Sequence, residues 1–186
     1  GSRMGTNIKK QFIELNNKPI IAYTLEVFQN LPEIDEILIV TGHDCIDTVQ
    51  KIVNTYKFSK VKNIVQGGKE RQDSVYNGLL SLSDDTEIVL IHDGVRPFVN
   101  KEDILETINN VEIGTGAILG VKSKNTLKVV GEDGFIKQTL KRSEIFEIQT
   151  PQTFYKNDIL KAYEQAKTEN FTGTDDASLA ERSGIK

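Results

Sequence analysis

Apolar positions along the chain follow two alternating rhythms. Over residues 18–30, Ile21, Leu25 and Phe28 recur at helical spacing, and Pro19 sits where a first helical turn tolerates a missing N–H, which predicts a helix. Ile37, Leu38, Ile39 and Val40 form a short apolar run ending at Thr41 and Gly42, which predicts a buried strand. Asp44 can cap the next helix, where Ile46, Val49, Val53 and Tyr56 share a face. The alternation then repeats. A strand over residues 61–65 closes at Gly67 and Gly68, and Val75, Leu79 and Leu82 mark a helix after it. Residues 88–91 read as the clearest strand. Asn100 with Asp103 resembles a cap for a helix carrying Ile104, Leu105 and Ile108, and residues 117–121 predict a further strand.

Strands alternating with amphipathic helices imply an α/β fold. The expected form is doubly wound, with a mostly parallel sheet between two helix layers and ligands at the strand C-termini. The rhythm then breaks. Residues 126–130, the turn Gly131-Glu132-Asp133-Gly134 and residues 135–140 predict a β-hairpin, a projecting arm over about residues 122–145. Ile159, Leu160 and Tyr163 suggest one more helix, and Asp175 with Asp176 could begin a last short one. Residues 1–186 are expected to form a single domain. Such a domain ordinarily opens with a strand feeding its first glycine-rich loop, whereas this sequence opens on Gly1, Ser2 and Arg3. Either Gly1 and Ser2 are a cloning remnant or the sequence starts inside that loop; truncation at both ends is the expectation.

The length of 186 residues suits one domain with a continuous core. No apolar run approaches the roughly 20 residues that cross a bilayer, so no membrane partner is expected. Lys and Arg number 23 against 27 Asp and Glu, a net charge of −4 that disfavours a general nucleic-acid surface. An anionic ligand would need a local basic cluster. The single cysteine, Cys45, excludes an internal disulfide framework and suits a cytoplasmic setting.

Five constellations could carry chemistry. In residues 1–12, small residues can bring backbone N–H groups to a polyphosphate and Arg3 and Lys10 can neutralise charge, although such a segment also reads as a solvated terminus. In residues 67–78, the glycines, Arg71 and Ser74 either meet the edge of a base or make a strand-to-helix turn. Residues 91–97 put Asp93 and Arg96 at a strand end, as a ligand site, a metal ligand in the case of Asp93, or a pair bracing a turn. His92 reads as structural. Residues 141–143 with 149–152, and 172–176, read alone as polar loops or caps.

Taken in order, GSRMG, KKQF, GGKERQDSV, HDGVRPFV, NTLK, KRS, QTPQTF and TDDASL closely resemble the 2-C-methyl-D-erythritol 4-phosphate cytidylyltransferases over nearly the whole chain. The resemblance implies a Rossmann-like nucleotidyltransferase that transfers CMP from CTP to methylerythritol phosphate, releases pyrophosphate and uses Mg²⁺ or another divalent cation. It implies Arg3, Lys10 and Arg142 as catalytic residues, with Arg142 gripping the substrate phosphate in a partner's site. Gly1, Ser2, Gly68, Lys69 (through its backbone), Arg71 and Ser74 would hold CTP; Asp93, Arg96, Thr150 and Thr174 would contact the methylerythritol moiety. The arm resembles the family's dimerisation element, implying a homodimer. Asn125 stands where the family usually has Asp, and the family's first strand and a C-terminal segment with a substrate-binding lysine lie outside the sequence. Ribitol-5-phosphate cytidylyltransferase, which shares HD-x-VRPF and QTPQ, is the alternative; residues 73–75 and 174–178 favour the methylerythritol enzyme. A dinucleotide oxidoreductase would need a GxGxxG after a strand, which is absent from the sequence. A noncatalytic nucleotide-binding module would not need Arg3, Lys10, Asp93 and Arg142 together.

Overall fold

The structure, a computed structural model, describes residues 9–186. A 3-10 turn, Lys10–Phe12, leads into a small hairpin of β1 (Glu14–Leu15) and β2 (Lys18–Pro19). Asn16 and Asn17, at φ 50° and 60°, make its turn, a conformation that asparagine tolerates better than most residues. This hairpin takes the first two residues of the predicted helix, and α1 begins at Ile20 (Ile20–Gln29).

The βα alternation follows as the apolar pattern predicts. In order come β3 (Ile37–Thr41), α2 (Ile46–Tyr56), β4 (Val61–Gln66), α3 (Arg71–Leu80), β5 (Ile88–Ile91), α4 (Lys101–Asn110) and β6 (Ala117–Lys122). Asn100 caps α4 as expected, its side chain accepting from the Asp103 N–H at 2.8 Å. Asp44 does not cap α2. A 3-10 turn over His43–Cys45 intervenes, and the Asp44 carboxylate instead meets the Lys9 ammonium at 2.6 and 2.8 Å.

The arm is β7 (Lys128–Val130) paired with β8 (Ile136–Thr139), and beyond it lies β9 (Phe146–Tyr155), an element the apolar pattern does not predict. β9 is ten residues long and runs antiparallel between β5 and β6, so those two strands are parallel to each other without touching. β3 and β4 pair in parallel. Helices α5 (Lys156–Thr168) and α6 (Asp176–Arg182) complete the chain.

Side-chain alternation assigns the helices to two layers. Ile39 joins the core of α1 and α2, whereas Leu38 and Val40 face α3 so closely that a Cβ on Gly78 would lie 2.9 Å from Val40. Ile91 packs with α3, α5 and α6, while Leu90 packs with Phe28 and Ile104 of α1 and α4. On β9, Phe154 joins the α5 and α6 core and Thr153 hydrogen-bonds Thr107 of α4 at 2.8 Å. β3–β4 and β5–β9–β6 are hydrogen-bonded as two separate sheets among the described residues, with parallel and antiparallel pairs, and helices cover both faces, as in a doubly wound fold. Between β3 and β5, flanked by α1 and α3, lies a cavity of about 950 Å³ lined by Leu38, Val40, Val89 and Leu90.

β9 also braces the C-terminal end of β5. Thr150 is buried, and its hydroxyl accepts the Asp93 N–H at 3.2 Å. The same hydroxyl lies 3.0 Å from His92 Nδ1, and His92 Nε2 lies 3.1 Å from the Arg96 carbonyl. A carbonyl only accepts, so Nε2 carries the proton and Nδ1 accepts from Thr150. Burial pushes the His92 pKa down from its ordinary value, against the opposing pull of the Arg96 carbonyl and the Asp93 charge. The unfolded chain protonates His92 near pH 6.5, whereas the folded chain resists. Stability held above that pH is therefore lost as pH falls towards the lower folded pKa. The urea midpoint of the protein is expected to fall between about pH 7.5 and about pH 5.5, a window above the usual carboxylate range. In His92→Gln that slope should be shallower; an unchanged slope would show that His92 does not carry the dependence.

Candidate active site

The turn from β4 into α3 is built by close approach. The Gly67 N–H donates to the Thr41 carbonyl at 2.8 Å, and the Gly68 N–H donates to Ser74 Oγ at 3.0 Å. A Cβ on Gly68 would stand 2.2 Å from that of Asp73, so only glycine fits there. Glu70 and Asp73 form a reciprocal capping box at the start of α3. Ser74, expected to read cytosine, donates its hydroxyl hydrogen to the Glu70 carbonyl at 3.0 Å and keeps one lone pair unused in these contacts. The Lys69 N–H has no hydrogen-bond partner among the described residues.

At the end of β5, Arg96 Nε lies 2.9 Å from Asp93 Oδ2. Arg71 approaches the other oxygen, Nε to Oδ1, at 3.7 Å. Asp93 thus faces two guanidinium groups. It does not fit a metal ligand well, because two cations already occupy its surroundings. Among the described residues no cluster of three or more His, Cys, Asp or Glu side chains could hold an ion, so this donor set does not match a protein-held divalent metal.

The third segment, residues 171–178, is tied down from three sides. Gln72 of α3 donates to the Phe171 carbonyl and accepts the Gly173 N–H, both at 3.0 Å. Gln152 of β9 donates to Asp175 Oδ2 and accepts the Ala177 N–H, both at 2.8 Å. Asp175 caps α6, accepting from the Ser178 N–H at 2.9 Å. Asp176 has no exposed surface; its two oxygens accept from Arg71 Nη1 at 3.0 Å and Nη2 at 2.7 Å, and the Tyr163 hydroxyl donates to Oδ1. Burial opposes the Arg71 charge, but the Asp176 hydrogen bonds and the two carboxylate charges outweigh it and raise its pKa. Burial, then the Asp176 charge, pushes the Tyr163 pKa up, so Tyr163 stays a neutral donor.

Of the residues singled out from the sequence, Gly68 and Ser74 are joined to each other, and Arg71, Arg96 and Thr150 each meet Asp93. Lys69 and Thr174 are exposed on the flanking segments. Thr150 spends its hydroxyl on Asp93 and His92, so it acts on the site from behind. Lys10 is exposed, while its neighbour Lys9 is committed to Asp44, and Gly1, Ser2 and Arg3 lie outside the described residues. Arg142 stands in a 3-10 turn at the base of the arm, with Nη1 donating to the Lys124 carbonyl at 3.3 Å. Gln72, Gln152 and Asp176 lie within the segments singled out from the sequence but had no role assigned to them, and Tyr163 was not among the candidates. The only local sign of Asp176 is that it follows a capping aspartate, and Tyr163 reads as an ordinary core residue.

The family model for IspD, 2-C-methyl-D-erythritol 4-phosphate cytidylyltransferase, matches residues 1–186. The chain is 50% identical over 187 residues to a 2-C-methyl-D-erythritol 4-phosphate cytidylyltransferase of Clostridium acetobutylicum, spanning 100% of this chain and 81% of that protein. It is 46% identical over 185 residues to the protein of that name from Clostridioides difficile, covering 99% of this chain and 77% of the relative. Among solved structures it is similar to the crystal structure of 4-diphosphocytidyl-2C-methyl-D-erythritol synthase from Anaerococcus prevotii. That likeness has a TM-score of 0.85 and 34% identity, and it covers 96% of this chain and 78% of that one. Matched along its whole length by one family's model, and identical at half of the aligned positions to a curated relative, the chain belongs to the 2-C-methyl-D-erythritol 4-phosphate cytidylyltransferase family.

Proposed function

We propose that this chain transfers the cytidylyl group of CTP to 2-C-methyl-D-erythritol 4-phosphate, a step of isoprenoid precursor synthesis by the non-mevalonate route. One observation carries the reading: three segments that match the family's motifs, residues 67–74, 93–96 and 171–176, meet around the single guanidinium of Arg71. A phosphate oxygen of the acceptor attacks the α-phosphorus of CTP in line. The bond from that phosphorus to the bridging oxygen breaks, and pyrophosphate leaves. No protein nucleophile is needed, so catalysis rests on positioning and on neutralising developing charge.

Lys10 takes the triphosphate, and Gly1, Ser2 and Arg3, which lie outside the described residues, are assigned to it by the motif they match. The Lys69 N–H and the remaining Ser74 lone pair supply a donor and an acceptor for cytosine, with Gly68 allowing the base to approach. Asp93, Arg96 and Thr174 face the acceptor polyol, and Thr150 holds Asp93 in place. A divalent cation arrives with the triphosphate of CTP as part of the substrate. A cytoplasmic setting is supported by Cys45, buried as a free thiol. No helix among the described residues is long and apolar enough to cross a membrane.

The arm exposes Val129, Val130, Phe135 and Ile136, the last two by 74% and 64%. A two-stranded hairpin has too little core to be stable alone, and these side chains call for cover by a second subunit. The arm then carries Arg142 to the acceptor phosphate in the partner's site.

Two experiments test this. With CTP and Mg²⁺, pyrophosphate release should be far faster with methylerythritol 4-phosphate than with ribitol 5-phosphate; the reverse order would replace the assignment by the ribitol enzyme. Secondly, Lys10→Ala and Arg142→Ala chains, each nearly inactive alone, should complement after subunit exchange. About half of the dimers become mixed, each with one intact site, so about a quarter of wild-type activity should return. No recovery would place Arg142 in its own chain's site.

A further inference from the structure

Two carboxylates compete for one guanidinium at the centre of the site. Asp176 is fully buried and Asp93 keeps 35% of its side chain exposed. A buried charge left unpaired costs far more than a partly hydrated one, so the Arg71 fork is held by Asp176 in a bidentate grip. The Tyr163 hydroxyl donates to the same carboxylate from the opposite element, α5, and fixes its orientation. Arg71 is thereby stopped 3.7 Å short of Asp93 Oδ1, beyond hydrogen-bond distance, while Arg96 takes only Oδ2. Among the described residues Oδ1 accepts no hydrogen bond, and its lone pairs remain available.

We propose that Asp176 is a positioning residue that restrains Arg71 and so keeps one oxygen of Asp93 open to the hydroxyl groups of the acceptor polyol. The proposal rests on reading Asp93 as a contact to that polyol. With a neutral side chain at 176, the demand for the fork disappears. Arg71 then closes the remaining gap onto Asp93, both of whose oxygens become occupied by guanidinium donors. The loss falls on acceptor binding rather than on the chemical step or on CTP.

Steady-state kinetics with methylerythritol 4-phosphate, at saturating CTP, separates this role from mere structural support. Asp93→Asn should raise the acceptor KM; if it does not, the reading of Asp93 fails, and the proposal with it. Asp176→Asn should raise the acceptor KM about tenfold, the order expected for a hydrogen bond to a charged group, with the KM for CTP little changed. Asp176→Glu keeps a carboxylate for the Arg71 fork and should hold the acceptor KM closer to the parent value than Asp176→Asn does. A folded Asp176→Glu chain with an acceptor KM as poor as that of Asp176→Asn would overturn the proposal in favour of a structural role. An unchanged acceptor KM in Asp176→Asn would overturn it as well. Should Asp176→Asn fail to fold, Tyr163→Phe loosens the same carboxylate by one hydroxyl. It should raise the acceptor KM in the same direction by a smaller factor with kcat held, and no rise would refute the proposal.

Discussion

A carboxylate without any exposed surface has to find its counter-charge inside the protein. Asp176 finds it in Arg71, from an element more than a hundred residues away in sequence, and that demand fixes much else. It brings the start of α6 against the start of α3 and draws Tyr163 of α5 to the same point. Because Arg71 is the first residue of α3, the glycine turn that precedes it is held as well. The two glutamines reinforce the same junction: Gln72 satisfies backbone groups at 171 and 173, and Gln152 those at the start of α6. A segment that would otherwise be a mobile polar loop becomes a wall of the site.

The frame for this junction is β9. Lying antiparallel between β5 and β6, it supplies Gln152 to α6, Thr150 to the end of β5 and Phe154 to the core under α5. A purely parallel sheet would put neither Thr150 nor Gln152 there. The exposed half of β9, with Phe146 and Ile148, continues towards the arm, so the strand that holds the site together also connects it to the surface proposed for the second subunit.

What could be read in the sequence divides along physical lines. Helices and strands of the repeating βα part announce themselves because their apolar positions follow the periods 3.6 and 2, and because glycines and caps mark their ends. β5 occupies the predicted residues 88–91, and Asn100 and Asp175 both cap as expected. β9 escaped because its residues, Gln149, Thr150, Pro151, Gln152 and Thr153 among them, are polar or break strands, and they pair for reasons visible only once both neighbours are in place. Asp44 was misread as a cap because Asp fits that role locally, whereas Lys9 wins it through a contact 35 residues away. At the site, motif resemblance singled out Gly68, Ser74, Asp93 and Arg96 as candidates. It said nothing of which polar atoms the protein consumes internally, so Ser74 and Thr150 proved to be largely spent on the fold itself.

The central claim is that the turn proposed to face the nucleotide and the segment proposed to face the acceptor form one unit, joined through Arg71, Gln72 and Asp176. Amide hydrogen exchange measures this directly, because segments that open together are protected together. On addition of CTP alone, protection is expected to rise in residues 67–78 and, through the buried junction, in residues 171–178. Protection confined to residues 67–78 would contradict the account, since the two walls would then open independently.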